Sequence, residues 1–243
     1  MLLYLIYTEF IKYKRTAVLW MIGIGGFITA GTGYLLVSSG NHITGWDIYS
    51  VTALNCINLL SILMTAVISG YVVINEYHGE TVSNLFTYPV SRIKVFLIKF
   101  LIIFVFVMGL FIVFLVSAIF FGTFYTGELP SAPQMLKLVV LCFISAIMNF
   151  ILAPVTVFIG LVIKGTATYL FVGMGYFIIY ISLINSNYSY LIPTCVPNKI
   201  INSYYNSVHL TGSEVISIAI VSGITFFSAM ISAGTYFLKN DCR

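Results

Sequence analysis

Hydrophobic residues in this chain fall in long blocks rather than in alternation with polar ones. Six stretches contain no Asp, Glu, Lys or Arg: 16–46, 48–75, 100–127, 138–163, 165–198 and 215–238. Each is long enough for the roughly 20 residues that carry an α-helix across a bilayer. Trimmed at their polar and turn-forming ends, they predict spans over 17–37, 51–73, 95–121, 138–162, 167–184 and 215–237. Hydrocarbon offers no water to the backbone, so each spanning element must satisfy its own N–H and C=O groups. Runs of this length without a two-residue period specify helices and not a barrel. The expected fold is an all-α integral membrane protein with six transmembrane helices in a single domain, 1–243.

Composition agrees. Of 243 residues, 60% are hydrophobic and 7% charged, against about 25% charged in an ordinary globular domain. That is too little polar surface to cover a soluble protein of this size. The mean hydropathy of +1.06 points the same way.

The basic residues then set an orientation. Lys12, Lys14 and Arg15, then Arg92, Lys94 and Lys99, then Lys164, then Lys239 and Arg243 fall on one side, and only Lys137 and Lys199 on the other. The positive-inside rule puts the richer side, and with it both termini, in the cytoplasm. The net charge of +4 is therefore a topology signal, and nothing else supports a nucleic-acid partner. The amino terminus does not read as a cleaved signal peptide, because apolar residues and Glu9 precede the basic cluster and the following apolar run is too long. Leu2, Ile6, Phe10 and Tyr13 share one helical face and Thr8, Glu9, Lys12 and Arg15 another. This predicts a short interfacial helix over 1–15, or else a cytoplasmic extension of the first span.

Between spans, the first outer loop, 38–50, is short and carries Trp46 as an interface anchor. The second, 122–137, is punctuated by Pro130 and Pro133. The third, 185–213, is the largest, with Pro193, Pro197 and a mixture of tyrosines and asparagines; it reads either as re-entrant or as a surface cap. Pro154 should kink the fourth span.

The cytoplasmic segment 74–94 between spans two and three has the most distinctive pattern. Glu76 and Glu80, four residues apart, share a helical face, and Tyr77, Thr81 and Leu85 form the adjoining row. Pro89 disfavours helix at Tyr88, and Ser91 is placed to cap the third span. The reading is a short helix across the cytoplasmic mouth, a tight turn and a return into the bilayer. In order, the segment carries Glu76-Tyr77, Gly79-Glu80-Thr81, Pro89-Val90-Ser91-Arg92 and Lys99.

That order and spacing resemble the coupling segment of type-2 ABC transporter permeases, the membrane subunits of ATP-driven exporters. The overall plan is similar too, and length and look are nearest the bacterial permeases of bacitracin-resistance, lantibiotic-immunity and peptide-toxin export systems. The resemblance implies a half-transporter in a bacterial plasma membrane, paired with a second permease, identical or homologous, and driven by two copies of a cytoplasmic ABC ATPase. Glu76, Tyr77, Glu80, Thr81 and Leu85 would map onto the ATPase contact, and Pro89, Ser91 and Arg92 onto the coupling turn. The chain has no G-x-x-x-x-G-K-[ST] loop; Lys164-Gly165-Thr166 is reversed and lacks the preceding glycine. It would carry no cofactor, and ATP and Mg would be bound by the ATPase. The loop at Lys164 is very short and offers little second contact surface. Outside this context, Glu76 and Glu80 would read simply as solvated loop residues or as partners for Arg92 and Lys94.

Other chemistry is sparse. The three histidines are scattered, no HExxH or Cys–His cluster occurs, and the four cysteines show no metal-like spacing. Serines within spans have no embedded base, which argues against an intramembrane enzyme. Asn55, Asn58 and Asn149 either line a substrate path or bond neighbouring helices. Small residues at Gly26, Ala30, Gly223, Ser228, Ala229 and Ala233 would let helices approach closely. An ion-coupled carrier or channel is the main rival; it would call for ionisable residues within the spans, and only Lys99 at an inner edge qualifies. A non-transporting adaptor subunit would share the topology without an ATPase-contacting helix. An uncharged interior suits an amphipathic substrate, peptide or lipid-like, entering from the membrane lipid.

Overall fold

A computed structural model describes residues 2–13, 16–39, 45–78, 92–163, 165, 167–205 and 210–239. Among these there is no strand. The helices are α1 (Leu2–Tyr13), α2 (Ala17–Ser38), α3 (Trp46–His78), α4 (Arg92–Thr126), α5 (Ala132–Phe150), α6 (Ala153–Ile163), α7 (Thr168–Leu183), α8 (Val196–Tyr205) and α9 (Gly212–Lys239), with a 3-10 turn at Ser189–Leu191 between α7 and α8.

Five units are long and apolar enough to cross a membrane: Ala17–Ser38, Trp46–Val73, Ile93–Thr126, the broken unit Ala132–Ile163 and Gly212–Phe237. The sixth expected span corresponds to α7, an apolar helix of 16 residues. At 1.5 Å per residue it is about 24 Å long, short of a hydrocarbon core of about 30 Å. Beyond it the chain folds back into the bundle instead of rising further. The break in the fourth span falls at Ile151–Leu152, between α5 and α6. Pro154 has no N–H to give the Phe150 carbonyl, which is why a break belongs there.

Ends are set by local chemistry. Gly127, at φ 74°, closes α4 in the left-handed conformation that only glycine adopts without strain. Gln134 Oε1 accepts from the Ser131 backbone N–H at 3.0 Å at the start of α5. Glu214 Oε2 accepts from the Thr211 N–H at 2.9 Å at the start of α9, the returning half of a capping box.

α3 is the centre. It packs against α2, α4, α5, α6, α7 and α8, and no residue from Tyr49 to Val73 is exposed. The neighbours come close where side chains vanish. A Cβ on Gly33 would lie 2.8 Å from the Ala53 Cα of α3, and one on Gly26 would lie 2.9 Å from the Phe114 backbone nitrogen of α4. α7 runs antiparallel to α3, with Tyr169 against Gly70 and Gly173 against Ala66. Ala30, Ala229 and Ala233 are likewise buried. A Cβ on Gly223 would meet nothing within 4 Å, and Ser228 is exposed and donates only to the Thr225 carbonyl of its own helix, so neither brings two helices together among the described residues.

α1 is a helix separate from α2, since Thr16 between them is extended. Ile6, Phe10 and Tyr13 pack on the core as one face, Phe10 and Tyr13 against the Phe106 ring. Glu9 departs from the expected solvated face: it is only 6% exposed and ion-paired with Lys12. α1 leans on α4, and Tyr7 and Ile11 face outward.

These close approaches predict an asymmetry between glycines. Gly26→Val must displace the α4 backbone and should cost about 1–3 kcal/mol, read as a lower thermal midpoint of the detergent-solubilised protein. Gly223→Ala should leave that midpoint unchanged or raise it. Equal midpoints for Gly26→Val and the unmodified chain would refute the close packing of α2 on α4.

Candidate functional site

Polar residues line one side of α3 through the middle of the bundle. Asn58, Ser61, Thr65 and Ser69 follow at intervals of three and four, the spacing of a single helical face, and each is at most 1% exposed. Two are absorbed by their own helix: Ser61 donates to the Asn58 carbonyl at 3.0 Å and Ser69 to the Thr65 carbonyl at 2.6 Å. Neither the amide of Asn58 nor the hydroxyl of Thr65 has a hydrogen-bond partner in the protein. Buried amides without partners are costly, so this seam is an energetic liability that packing alone does not explain.

Asn149 stands one turn before the α5–α6 break and is also enclosed. Its Nδ2 donates to the Ser145 carbonyl at 2.9 Å, while Oδ1 has no partner. Thr156, just after the break, donates to the Leu152 carbonyl at 3.2 Å. Both α5 and α6 pack on α3. The broken helix therefore adds three buried polar residues to the interior, Ser145, Asn149 and Thr156, but no charge.

The inner end of α3 is different. Lys99 of α4 is 2% exposed, and its Nζ donates to the Val72 carbonyl at 3.3 Å. The Tyr13 hydroxyl of α1 donates to the same oxygen at 3.4 Å. Three helices thus meet at one backbone carbonyl, two residues before segment 74–94 begins. Nearby in α1, Glu9 and Lys12 form an ion pair whose second carboxylate oxygen is buried without a hydrogen bond.

At the outer end an amide chain ties α3 to the third outer loop. Asn198 Nδ2 donates to Asn55 Oδ1 at 2.8 Å, and Asn202 Nδ2 donates to Asn198 Oδ1 at 2.8 Å. The loop dips before it climbs. Cys195 packs with Ile62 and Tyr180 below this level, and α8 then rises along α3 toward Tyr205. Burial pushes the Tyr205 hydroxyl up to about 12 despite the Ser50 hydroxyl beside it, so it stays a neutral phenol. Lys137 sits 3.8 Å over its ring centroid, a cation–π contact that fastens α8 to α5.

Of the residues singled out from sequence, Asn55, Asn58 and Asn149 thus lie in the interior, the first bonded to α8 and the other two holding unpartnered polar atoms. Glu80, Thr81, Leu85, Pro89 and Ser91 lie outside the described residues. The backbone of Glu76 and Tyr77 belongs to the last turns of α3 and that of Arg92 opens α4, while their side chains lie outside the described residues. Sequence reasoning passed over Asn198, Tyr13 and the enclosure of Glu9. The four-residue spacing of Asn198 and Asn202 was a usable signal for the first. Among the described residues no group of His, Cys, Asp or Glu is arranged to hold a metal, and Cys56, Cys142 and Cys195 are free thiols.

A family model described as ABC-2 family transporter protein matches residues 5–195, a stretch from α1 to the foot of α8. No curated protein matches the chain.

The amide chain can be tested by a double-mutant cycle. Asn55→Ala and Asn198→Ala should each lower stability, and the pair should lose less than the sum, with a coupling of about 0.6 kcal/mol, the mean for such bonds in membranes. Strict additivity in thermal or denaturant unfolding would mean that the bond contributes nothing.

Proposed function

Because the chain belongs to the ABC-2 transporter family, a family of ABC transporter membrane components, we propose that it is the membrane-spanning half of an ATP-driven exporter. In this reading two copies of a cytoplasmic ABC ATPase bind ATP and Mg and supply the chemistry, and a second permease, identical or homologous, completes the pathway. The chain makes six crossings with α7 as a short one. Both termini are cytoplasmic in a bacterial plasma membrane, and α1 lies at the inner interface. The cargo is an amphipathic molecule, such as an antimicrobial or toxin peptide or a lipid-like compound.

The observation that carries this reading is the continuity of α3. The helix runs unbroken from Trp46 to His78, so the start of segment 74–94 is the end of the most enclosed element in the protein. α4 resumes at Arg92 and runs to Thr126. Each is about 50 Å long, and a displacement of the segment between them would act on two stiff levers packed at the centre of the bundle. Glu76, Tyr77, Glu80, Thr81 and Leu85 would meet the ATPase, with Pro89, Ser91 and Arg92 shaping the return. A carrier reading would draw on the break at Ile151–Leu152, since broken helices mark the sites of many carriers. The residues beside that break are Asn149 and Thr156, neither of which can hold or pass a coupling charge.

Co-expression with an ABC ATPase encoded beside this chain, purification through a tag on the chain in nanodiscs and assay of ATP hydrolysis tests the proposal. A stable complex with equal amounts of both subunits is expected. Glu80→Lys should leave the permease folded while weakening the complex about ten-fold or more, the scale of a misplaced interfacial charge. A well-folded chain that retains no ATPase, or a complex indifferent to Glu80→Lys, would remove ATP coupling through this segment.

A further inference from the structure

At the outer end of α7 the chain turns beneath α8 and leaves a cavity of about 270 Å³. Most of the residues that line it are polar. Four amides, Asn185, Asn187, Asn198 and Asn202, surround it with serine hydroxyls and Lys199. It has no carboxylate. Among the described residues Lys199 has no acidic side chain within ion-pair distance. The Ser186 hydroxyl, on the cavity wall, is buried without a partner.

The charge balance decides what such a cavity accepts. The last turn of α7 presents the negative end of a helix dipole and the first turn of α8, which carries Asn198 and Lys199, the positive end; partial charges of similar size offset. Glu214 lies near enough to feel the Lys199 charge but does not line the cavity, so the ammonium is the one full charge on its wall and the site favours an anion. A carboxylate offers two oxygens, fewer than this ring of amide N–H, hydroxyl and ammonium donors can engage. A phosphate group with its three or four oxygens matches it better. The volume exceeds a bare tetrahedral ion and leaves room for a small polar substituent.

Depth points to where that phosphate comes from. The node at Val72 and Lys99, five residues along α4 from the exposed Lys94, marks the inner edge of the bundle. About 20 helical residues outward, the thickness of a hydrocarbon core, is the level of Thr52, one turn from Asn55. Asn55 accepts from Asn198 on the cavity wall at 2.8 Å. The cavity therefore sits at the height of the outer headgroups.

We propose that this cavity is a binding site for a phosphate group carrying a small polar substituent, with Lys199 as the charge partner and Ser186 and the four amides as donors. The two sources of that chemistry are a phospholipid headgroup and a soluble phosphate ester. Because Asn198 joins the cavity wall to α3 through Asn55, occupancy bears directly on the central helix. The proposal does not depend on an ATPase partner.

The test uses the full chain alone, in maltoside micelles, which contain no phosphate, and in phosphatidylglycerol nanodiscs. Lysines are acylated with a water-soluble active ester and quantified by peptide mass spectrometry. Lys137, on the same side but outside the cavity, is the internal reference. In micelles, glycerol phosphate or inorganic phosphate at about four times its Kd should slow acylation of Lys199 about five-fold and leave Lys137 unchanged. Sodium acetate at matched ionic strength should do neither. Ser186→Ala should reduce the protection while leaving the unliganded rate at Lys199 as it was. Protection in nanodiscs without added phosphate assigns the site to lipid, and protection by the added esters alone assigns it to a soluble ligand. Equal slowing by acetate, or no slowing of Lys199 relative to Lys137 in any arm, overturns the proposal.

Discussion

α3 is the helix against which most of the others pack. From Tyr49 to Val73 no residue is exposed, six helices share its contacts, and a half-buried stripe through Val51, Asn55, Leu59, Leu63 and Val67 comes near the surface. In a bilayer this is a stronger constraint than in water. A polar side chain on a lipid-facing helix can bend toward an interface, but one on an enclosed helix must find its partner within the protein or go without. The enclosed polar residues of α3 are therefore satisfied inside the protein or not at all. Ser61 and Ser69 turn back on their own backbone, Asn55 reaches α8, and Asn58 and Thr65 remain unpaired.

Contact with six helices also dictates how the surrounding helices are built. Lipid is as apolar as leucine, so helices in a membrane associate through close packing and hydrogen bonds, not through the expulsion of water. The contacts with α3 show both devices. Gly33 lets α2 close on Ala53, Gly70 of α3 itself receives the Tyr169 ring, and Gly173 meets Ala66. At the inner end α1 and α4 each send a donor, Tyr13 and Lys99, to the single carbonyl of Val72. α9 makes the opposite choice. Ile216, Ile220, Ile224, Phe227 and Ile231 all face outward, a stripe that lipid suffices to cover.

Much of this was legible in the chain because the bilayer imposes length and composition before any tertiary contact forms. The long uncharged runs became α2, α3, α4, the α5–α6 unit and α9, and Pro154 marked the break. The small residues at Gly26 and Ala30 announced close packing because a missing side chain has the same meaning wherever the partner is. What the chain did not disclose depends on distant pairs. Asn198 finds Asn55 across 143 residues, a relation that no local period records. Glu9 reads as solvated from the pattern of α1 alone, whereas in the folded chain it is enclosed. α7 is shorter than the other five apolar units because beyond Leu183 the chain turns back to pack Cys195 against Tyr180, a contact that no local pattern records. The coupling pattern at Glu76, Tyr77 and Glu80 remains a statement about sequence, since those side chains lie outside the described residues.

The enclosure of α3 bears on how any pathway through this protein would open. Asn58 and Asn149 can meet a substrate only if α3 parts from the helices that cover it. The contacts differ in how readily they separate. Against α2 the fit is backbone on backbone, at Gly33 and Ala53, and parting there forfeits contacts that no side chain can replace. α5 and α6 are joined at Ile151–Leu152, where Pro154 has already removed a hydrogen bond. A rotation at that joint would uncover the Asn149 side without breaking a continuous helix. The unpaired amide of Asn58 and the unpaired Oδ1 of Asn149 lower the cost of such an opening, because neither surrenders a bond across the seam when α3 and the broken helix move apart. The seam that burdens the closed bundle is thus the place where it separates most cheaply, and the tight α2–α3–α4 packing forms the fixed side of the joint.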